Sequence, residues 1–156
     1  MGVKKTFLSS MIFLLCASVF GQNPAEAPET AAAALPADPS ILVGTTLPNL
    51  IGSYGVPKAV YPVRGLASWQ DDVVFVYDHA EFFIYGNRVW QLKLRSAYGI
   101  TEGDPKAQVA LVLGEGQPFD GYSVFQLPSR VWPLSLRINW DSSGRVSAVY
   151  VYRSDF

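Results

Sequence analysis

A glycine, a short apolar stretch at helical spacing and a second glycine eleven residues after the first occur twice, and this recurrence constrains the fold more than any other feature. In the first copy Gly44 and Gly55 bound Leu47, Leu50, Ile51 and Tyr54, which recur at i, i+3, i+4 and i+7 and define one face of a short amphipathic helix. In the second, Gly103 and Gly114 bound Val109, Leu113 and Val112 or Ala110. Thr45 or Thr46 is placed to cap the first helix, with Pro48 in its first turn; Asp104 is placed to cap the second, with Pro105 at its first position. Gly55 and Gly114 end the helices, and all four glycines read as structural turns.

Each helix is followed by aromatic-rich runs that read as strands. Residues 73–77, 81–85 and 88–95 follow the first, and residues 122–127, 132–140 and 145–152 follow the second. Gly86-Asn87 and Asp141-Ser142-Ser143-Gly144 have the composition of hairpin turns. Residues 58–68 hold Pro62 and suit at most an edge strand, because proline cannot donate to a central ladder. The expected fold class is α+β: a tandem duplicated unit of short helix followed by antiparallel strands, with the helices packed on one shared sheet.

The N-terminal region looks different. Lys4 and Lys5, an apolar run of about 14 residues (7–20) and Gly21-Gln22 fit a secretory signal peptide, expected to be cleaved after Gly21. The run is shorter than the roughly 20 residues a spanning helix needs. Cys16, the sole cysteine, lies inside it; lipidation there would require a small residue before the cysteine, and Leu15 fits poorly. Residues 22–40 are rich in Pro and Ala and read as a linker or tether, a segment without the apolar surface to offset ordering. The division expected is signal peptide 1–21, linker 22–40, and helix-sheet units 41–97 and 98–156.

Charge excludes one class of partner. Of twelve Lys and Arg only Lys4 and Lys5 precede residue 41, and of thirteen Asp and Glu only Glu26, Glu29 and Asp38 do, which leaves ten of each sign in the folded part. A balanced domain with no basic run does not suit nucleic acid.

For catalysis the inventory is thin. His79 is the sole histidine, so a histidine zinc triad is excluded. Asp72, Asp78, His79 and Glu81, with Asp71 beside them, form the one constellation suited to acid–base work or a cation, although Asp at strand ends commonly serves the turn. No catalytic residue, metal or cofactor is assigned. The aromatic side chains exceed what one small core face needs. In Phe82-Phe83-Ile84-Tyr85 adjacent residues point to opposite sides of the sheet, so some aromatic surface is left for a partner. Trp69, Phe83, Tyr85, Trp90, Trp132, Trp140, Tyr150 and Tyr152 are the interface candidates, since Trp and Tyr bury large area while keeping a polar handle.

The pattern of Gly44, Leu47, Leu50, Gly55, Pro57 and Arg88-Val89, repeated as Gly103, Val109, Gly114 and Arg145-Val146, resembles the SmpA/OmlA family of small outer-membrane assembly lipoproteins. It is also similar to the tandem fold of β-lactamase inhibitor proteins. The resemblance spans residues 43–152. It implies a non-catalytic protein that binds another envelope protein in the periplasm or at the periplasmic face of the outer membrane, in envelope or outer-membrane protein assembly. Membrane association would be through the N-terminus, and the oligomeric state is left open. Two alternatives stand beside it: an enzyme inhibitor acting through an aromatic sheet face, and an envelope hydrolase or cation-binding enzyme using Asp72, Asp78, His79 and Glu81.

Overall fold

A computed structural model describes residues 33–65, 71–129 and 131–155. The signal segment, Cys16 and the interface candidate Trp69 lie outside these residues. Among the described residues there are ten strands: β1 Ala59–Val63, β2 Asp72–Val76, β3 Ala80–Tyr85, β4 Arg88–Leu94, β5 Ser96–Ala97, β6 Ile100–Thr101, β7 Gln117–Phe119, β8 Tyr122–Leu127, β9 Leu134–Trp140 and β10 Val146–Arg153. A 3₁₀ turn at Pro39–Leu42 and the helix α1 Leu47–Tyr54 precede β1, and the helix α2 Lys106–Leu113 lies between β6 and β7. Eight strands form one sheet in the order β1-β2-β3-β4-β10-β9-β8-β7, antiparallel throughout. β5 and β6 make a separate small ladder.

This corrects the α+β expectation. The protein is mostly antiparallel sheet with two eight-residue helices, not a tandem duplicated helix-and-strand unit. The physical reason lies in what each element buries. α1 buries Leu50 and Tyr54 and α2 only Val109, while Leu111 on α2 is 83% exposed. Most of the buried side chains instead belong to paired strands, and β4 and β10 knit the two meanders directly, Leu94 facing Val149 and Leu92 facing Val151.

Local geometry nevertheless recurs at two corners. The Arg88 guanidinium donates through Nη1 to the Gly44 carbonyl at 2.8 Å, and Arg145 donates in the same way to the Gly103 carbonyl at 2.8 Å. Gly44, Gly55, Gly103 and Gly114 all have positive φ, between 74° and 93°. Gly44 is further constrained, because a Cβ there would lie 3.1 Å from the indole of Trp132. The expected caps differ in detail: Thr46 is the N-cap of α1 without a side-chain bond, and Pro105, not Asp104, is that of α2. Asp104 instead accepts from the Thr101 N–H at 2.8 Å, tying the preceding turn.

The end of the expected linker is docked. Asp38 accepts hydrogen bonds from the Ser40 N–H at 3.0 Å and from the Tyr98 hydroxyl at 2.8 Å, and Pro39 and Ser40 are buried. Burial, with the Asp38 carboxylate beside it, pushes the Tyr98 phenol up to about 12. At the two edges of the sheet β1 carries Pro62 and β7 carries Pro118, so neither presents an unbroken row of donors to another strand.

The main core lies on one face of the sheet. Phe82, Leu92, Leu94, Leu136, Ile138, Val149 and Val151 project there under Leu50, Tyr54, Val109 and the Ala97 and Ile100 pair of the small ladder. Tyr54, Tyr77 and Phe82 pack ring against ring at 5.5–5.9 Å. Each large apolar side chain so buried contributes about 1.5–3 kcal/mol. With both helices on this side, the other face of the sheet has no helix over it among the described residues.

Candidate binding face

The register defines what the uncovered face displays. One row runs across six strands: Val124 on β8, Arg137 on β9, Tyr150 on β10, Lys93 on β4, Glu81 on β3 and Val76 on β2. The next row along reads Gln126, Ser135, Tyr152, Gln91, Phe83 and Val74, and it continues to Tyr61 on the β1 edge; within it Ser135, Gln91 and Val74 are themselves buried. Tyr122 and Asn139 face each other beyond the first row. Period-two alternation places these residues together and sends their neighbours into the core. In β3 the pattern is plain, with Phe82 and Ile84 buried, Phe83 half-buried and Tyr85 40% exposed.

Two clusters dominate the face. On the β1 side the Tyr61 hydroxyl donates to Glu81 Oε2 at 2.6 Å and Lys93 Nζ to Glu81 Oε1 at 2.7 Å. Burial pushes the Glu81 carboxyl up, but the Lys93 and Tyr61 hydrogen bonds outweigh it and hold the group below its ordinary range. The same bond raises the Tyr61 phenol to about 12, and Glu81 raises Lys93. Trp90 Nε1 donates to Asp72 Oδ1 at 2.9 Å, and the Trp90 ring meets Phe83 edge-on at 6.5 Å. Burial, opposed by the Trp90 bond, leaves the Asp72 carboxyl raised.

The second cluster centres on Arg137. Its guanidinium lies over three tyrosine rings, 4.3 Å from the centroid of Tyr150, 5.7 Å from Tyr122 and 5.8 Å from Tyr152. Such contacts stabilise a cation by about 0.5–2 kcal/mol each, depending on exposure. Arg137 Nε, Ser135 Oγ and Asn139 Oδ1, on alternate residues of β9, are buried without a hydrogen-bond partner among the described residues. Phe119 stacks on Tyr122 at 4.9 Å, extending the aromatic surface to the β7 edge.

The interface candidates therefore divide. Phe83, Tyr85, Trp90, Tyr150 and Tyr152 lie on the open face. Trp132 and Trp140 do not: both pack against the main core. Trp132 lies beneath the Arg153 guanidinium, at 4.2 Å, and against Gly44. Trp140 donates to Ser123 Oγ at 3.2 Å with Lys106 5.2 Å above its ring. Strand parity carries the distinction, since Trp140 follows Asn139 and must point the opposite way. Tyr61, Tyr122 and Arg137 lie on the same face, and for Arg137 the alternation with Leu136 and Ile138 was a sequence signal.

The acidic constellation is split. Asp78, His79 and Glu81 line a cleft of about 200 Å³ with Lys93, Arg95 and Glu102, whereas Asp72 sits at the far end of β2 under Trp90. Asp78 is bound to Lys58 and Glu81 to Lys93 and Tyr61, so the carboxylates are occupied by cations and a phenol. Among the described residues no group of three or more His, Cys, Asp or Glu is placed to hold a metal ion.

No family model matches the chain, and no curated protein does. Among solved structures, a cysteine-rich secretory protein from Staphylococcus aureus subsp. aureus Mu50 is similar with TM-score 0.46 and 13% identity, over 74% of this chain and 46% of that one. An extracellular protein containing an SCP domain from Bacillus anthracis str. Ames gives TM-score 0.47 and 9% identity, over 86% of this chain and 50% of that one. The chain spans about half the length of each. The SmpA/OmlA and β-lactamase inhibitor resemblance drawn from the sequence is corrected: no family model matches the chain, and the two solved structures just described are of neither kind. Its motif consisted of turn glycines, helix apolar residues and an Arg-Val strand start, and these are demands of local geometry that unrelated sheets share.

Proposed function

We propose that this is an exported, non-catalytic protein-binding module that holds its partner on the uncovered face of the sheet. One observation carries the reading: a face with no helix over it among the described residues presents Tyr61, Phe83, Tyr85, Trp90, Tyr122, Tyr150 and Tyr152 in adjacent rows. Rigid aromatics on paired strands are the side chains that give interfaces their energetic centres. Export is supported by the Lys4-Lys5 and apolar pattern ahead of the domain. A place in envelope protein assembly is the narrower form of this proposal. Its support was the resemblance corrected above, so the open face alone carries the weight.

The test is a paired substitution. Trp90→Ala with Tyr152→Ala should abolish retention of a partner recovered from envelope fractions by cross-linking, with the melting temperature monitored separately. His79→Ala with Asp78→Ala should leave it intact. The reverse pattern would favour the hydrolase or cation-binding alternative. Trp140→Ala does not discriminate, because Trp140 packs against the core and its loss reports on stability.

A further inference from the structure

The first row of the open face is complementary to itself about the middle of the sheet. The strand order places β4 and β10 at the centre, β3 and β9 next outward, and β2 and β8 beyond them. Taken outward from that midline, Tyr150 mirrors Lys93, Arg137 mirrors Glu81 and Val124 mirrors Val76. The pairs are an aromatic ring with a cation, a cation with a carboxylate, and two valines. Arg137 makes no ion pair with any described carboxylate, and of the nitrogens of this half-buried side chain Nε alone is enclosed and unbonded. The Glu81 carboxylate is 24% exposed and accepts one bond on each oxygen, from Lys93 and Tyr61, of the about four it has room for. Pro62 on β1 and Pro118 on β7 break both edges, so a second sheet meets this one through the face and not by strand addition.

We infer that the open face pairs with the open face of a second copy of this chain, about a twofold axis running along the strands between β4 and β10. This rests on the open-face reading and names the occupant. The axis brings Arg137 onto Glu81 of the second copy, the Lys93 ammonium onto the Tyr150 ring, and Val124 onto Val76, and each contact is made twice. The other twofold that stacks the two faces, with its axis along the row, sets Arg137 on Arg137 and Glu81 on Glu81 and is repelled. Stacked sheets lie about 10 Å apart with their strands about 30° askew. Arg137 and Glu81 each stand about 7 Å from the midline, so that angle offsets them by about 4 Å, within the length of an arginine side chain. Eight strands about 4.8 Å apart and about 17 Å long give a footprint on the order of 600 Å² per copy, near the roughly 800 Å² that a standard interface buries on each side. The tyrosine rings around Arg137 hold its guanidinium in place beforehand, so less side-chain freedom is lost on pairing.

The test is sedimentation equilibrium of the full chain, with a charge exchange built into it. The wild type should sediment as a dimer. Arg137→Glu opposes two carboxylates in each pair and Glu81→Lys opposes two cations, so each variant alone should dimerise at least about 100-fold more weakly. An equimolar mixture of the two should recover the dimer, because each exchanged charge then meets its opposite and the remaining Arg137 meets the remaining Glu81. Melting curves establish that each variant is folded. A second measurement leaves the charges alone. In a Cys16→Ser background, Val124→Cys and Val76→Cys chains are mixed and treated with a bis-maleimide about 10 Å long, the spacing of stacked sheets. The mixture should cross-link and either chain alone should not, since like positions stand more than about 20 Å apart across the axis. A wild type that is monomeric at every concentration reached, a dimer indifferent to both charge reversals, a mixture of folded variants no better than its components, or cross-linking of Val76→Cys to itself would overturn the pairing. If the chain is monomeric and Trp90→Ala with Tyr152→Ala still releases a different captured protein, the open-face reading stands while the self-pairing falls.

Discussion

The guanidinium carbon of Arg137 lies 4.3 Å above the ring of Tyr150, on the neighbouring strand and directly opposite it in register. The pair gives the face its positive centre without a carboxylate. Tyr150→Leu should destabilise the fold by about 1 kcal/mol, while Tyr150→Phe, which keeps the ring, should be close to neutral. Urea unfolding of both variants checks this. An equal loss in both would assign the effect to the hydroxyl and not to the ring.

The Tyr61–Glu81–Lys93 chain sets the pH response of the β1 side. Glu81 is held below its ordinary value, so its contribution is present above about pH 4.5 and is lost as pH falls through its depressed value. Tyr61, raised to about 12, acts in the opposite sense: its contribution is full below its ordinary value near 10 and fades as pH rises towards about 12. Ultraviolet titration of the tyrosines should therefore show Tyr61 ionising late, and Glu81→Gln should bring it back towards 10. The bonds are only partly buried, so Glu81→Gln should cost about 1 kcal/mol or less at neutral pH.

Gly44 and Gly103 make the same clamp with different surroundings. Both have φ near +90°, and Gly44 alone faces an indole 3.1 Å from where a Cβ would stand. Gly103→Ala should cost about 1–2 kcal/mol from backbone strain. Gly44→Ala should cost more, because the Trp132 ring must also shift. Equal losses in chemical denaturation would mean that Trp132 yields freely.

Phe82 is fully buried at the junction of the Tyr54 and Tyr77 rings. Phe82→Ala should destabilise by about 3–5 kcal/mol, enough to unfold a marginal domain. The equivalent change at Phe83, one residue on but on the open face, should cost far less stability and should instead weaken partner binding.

The longer strands were legible in the sequence because period-two alternation and turn composition are local signals, whereas the short β5, β6 and β7 carry too few residues to show a period. The hairpin at Gly86-Asn87 and the paired strands around it follow from them directly. The helices were legible too, with α2 ending before Gly114 as expected and starting one residue later, after Pro105. Their importance was not. Whether a helix or a strand supplies most of the core depends on how much each buries, and Leu111, apolar yet 83% exposed, shows that composition alone overstates α2. Which side chains share the open face was only partly legible. Phe83 and Tyr150 were accessible through alternation, but Trp132 and Trp140 were drawn to the partner face by residue type when parity and packing place them against the core. The facing of Arg137 was readable from its alternation with Leu136 and Ile138, but its tyrosine neighbours became visible only through register, since they come from β8 and β10.

The open face is tested most directly by site-specific photo-cross-linking in envelope extracts. A cross-linking side chain at Tyr85 or Tyr122, on the open face, should capture the same partner protein, and one at Leu111 or Val56, exposed on the helix side, should not. Capture from Leu111 and Val56, with Tyr85 and Tyr122 silent, would place the working surface on the helices and contradict the open sheet as the binding face.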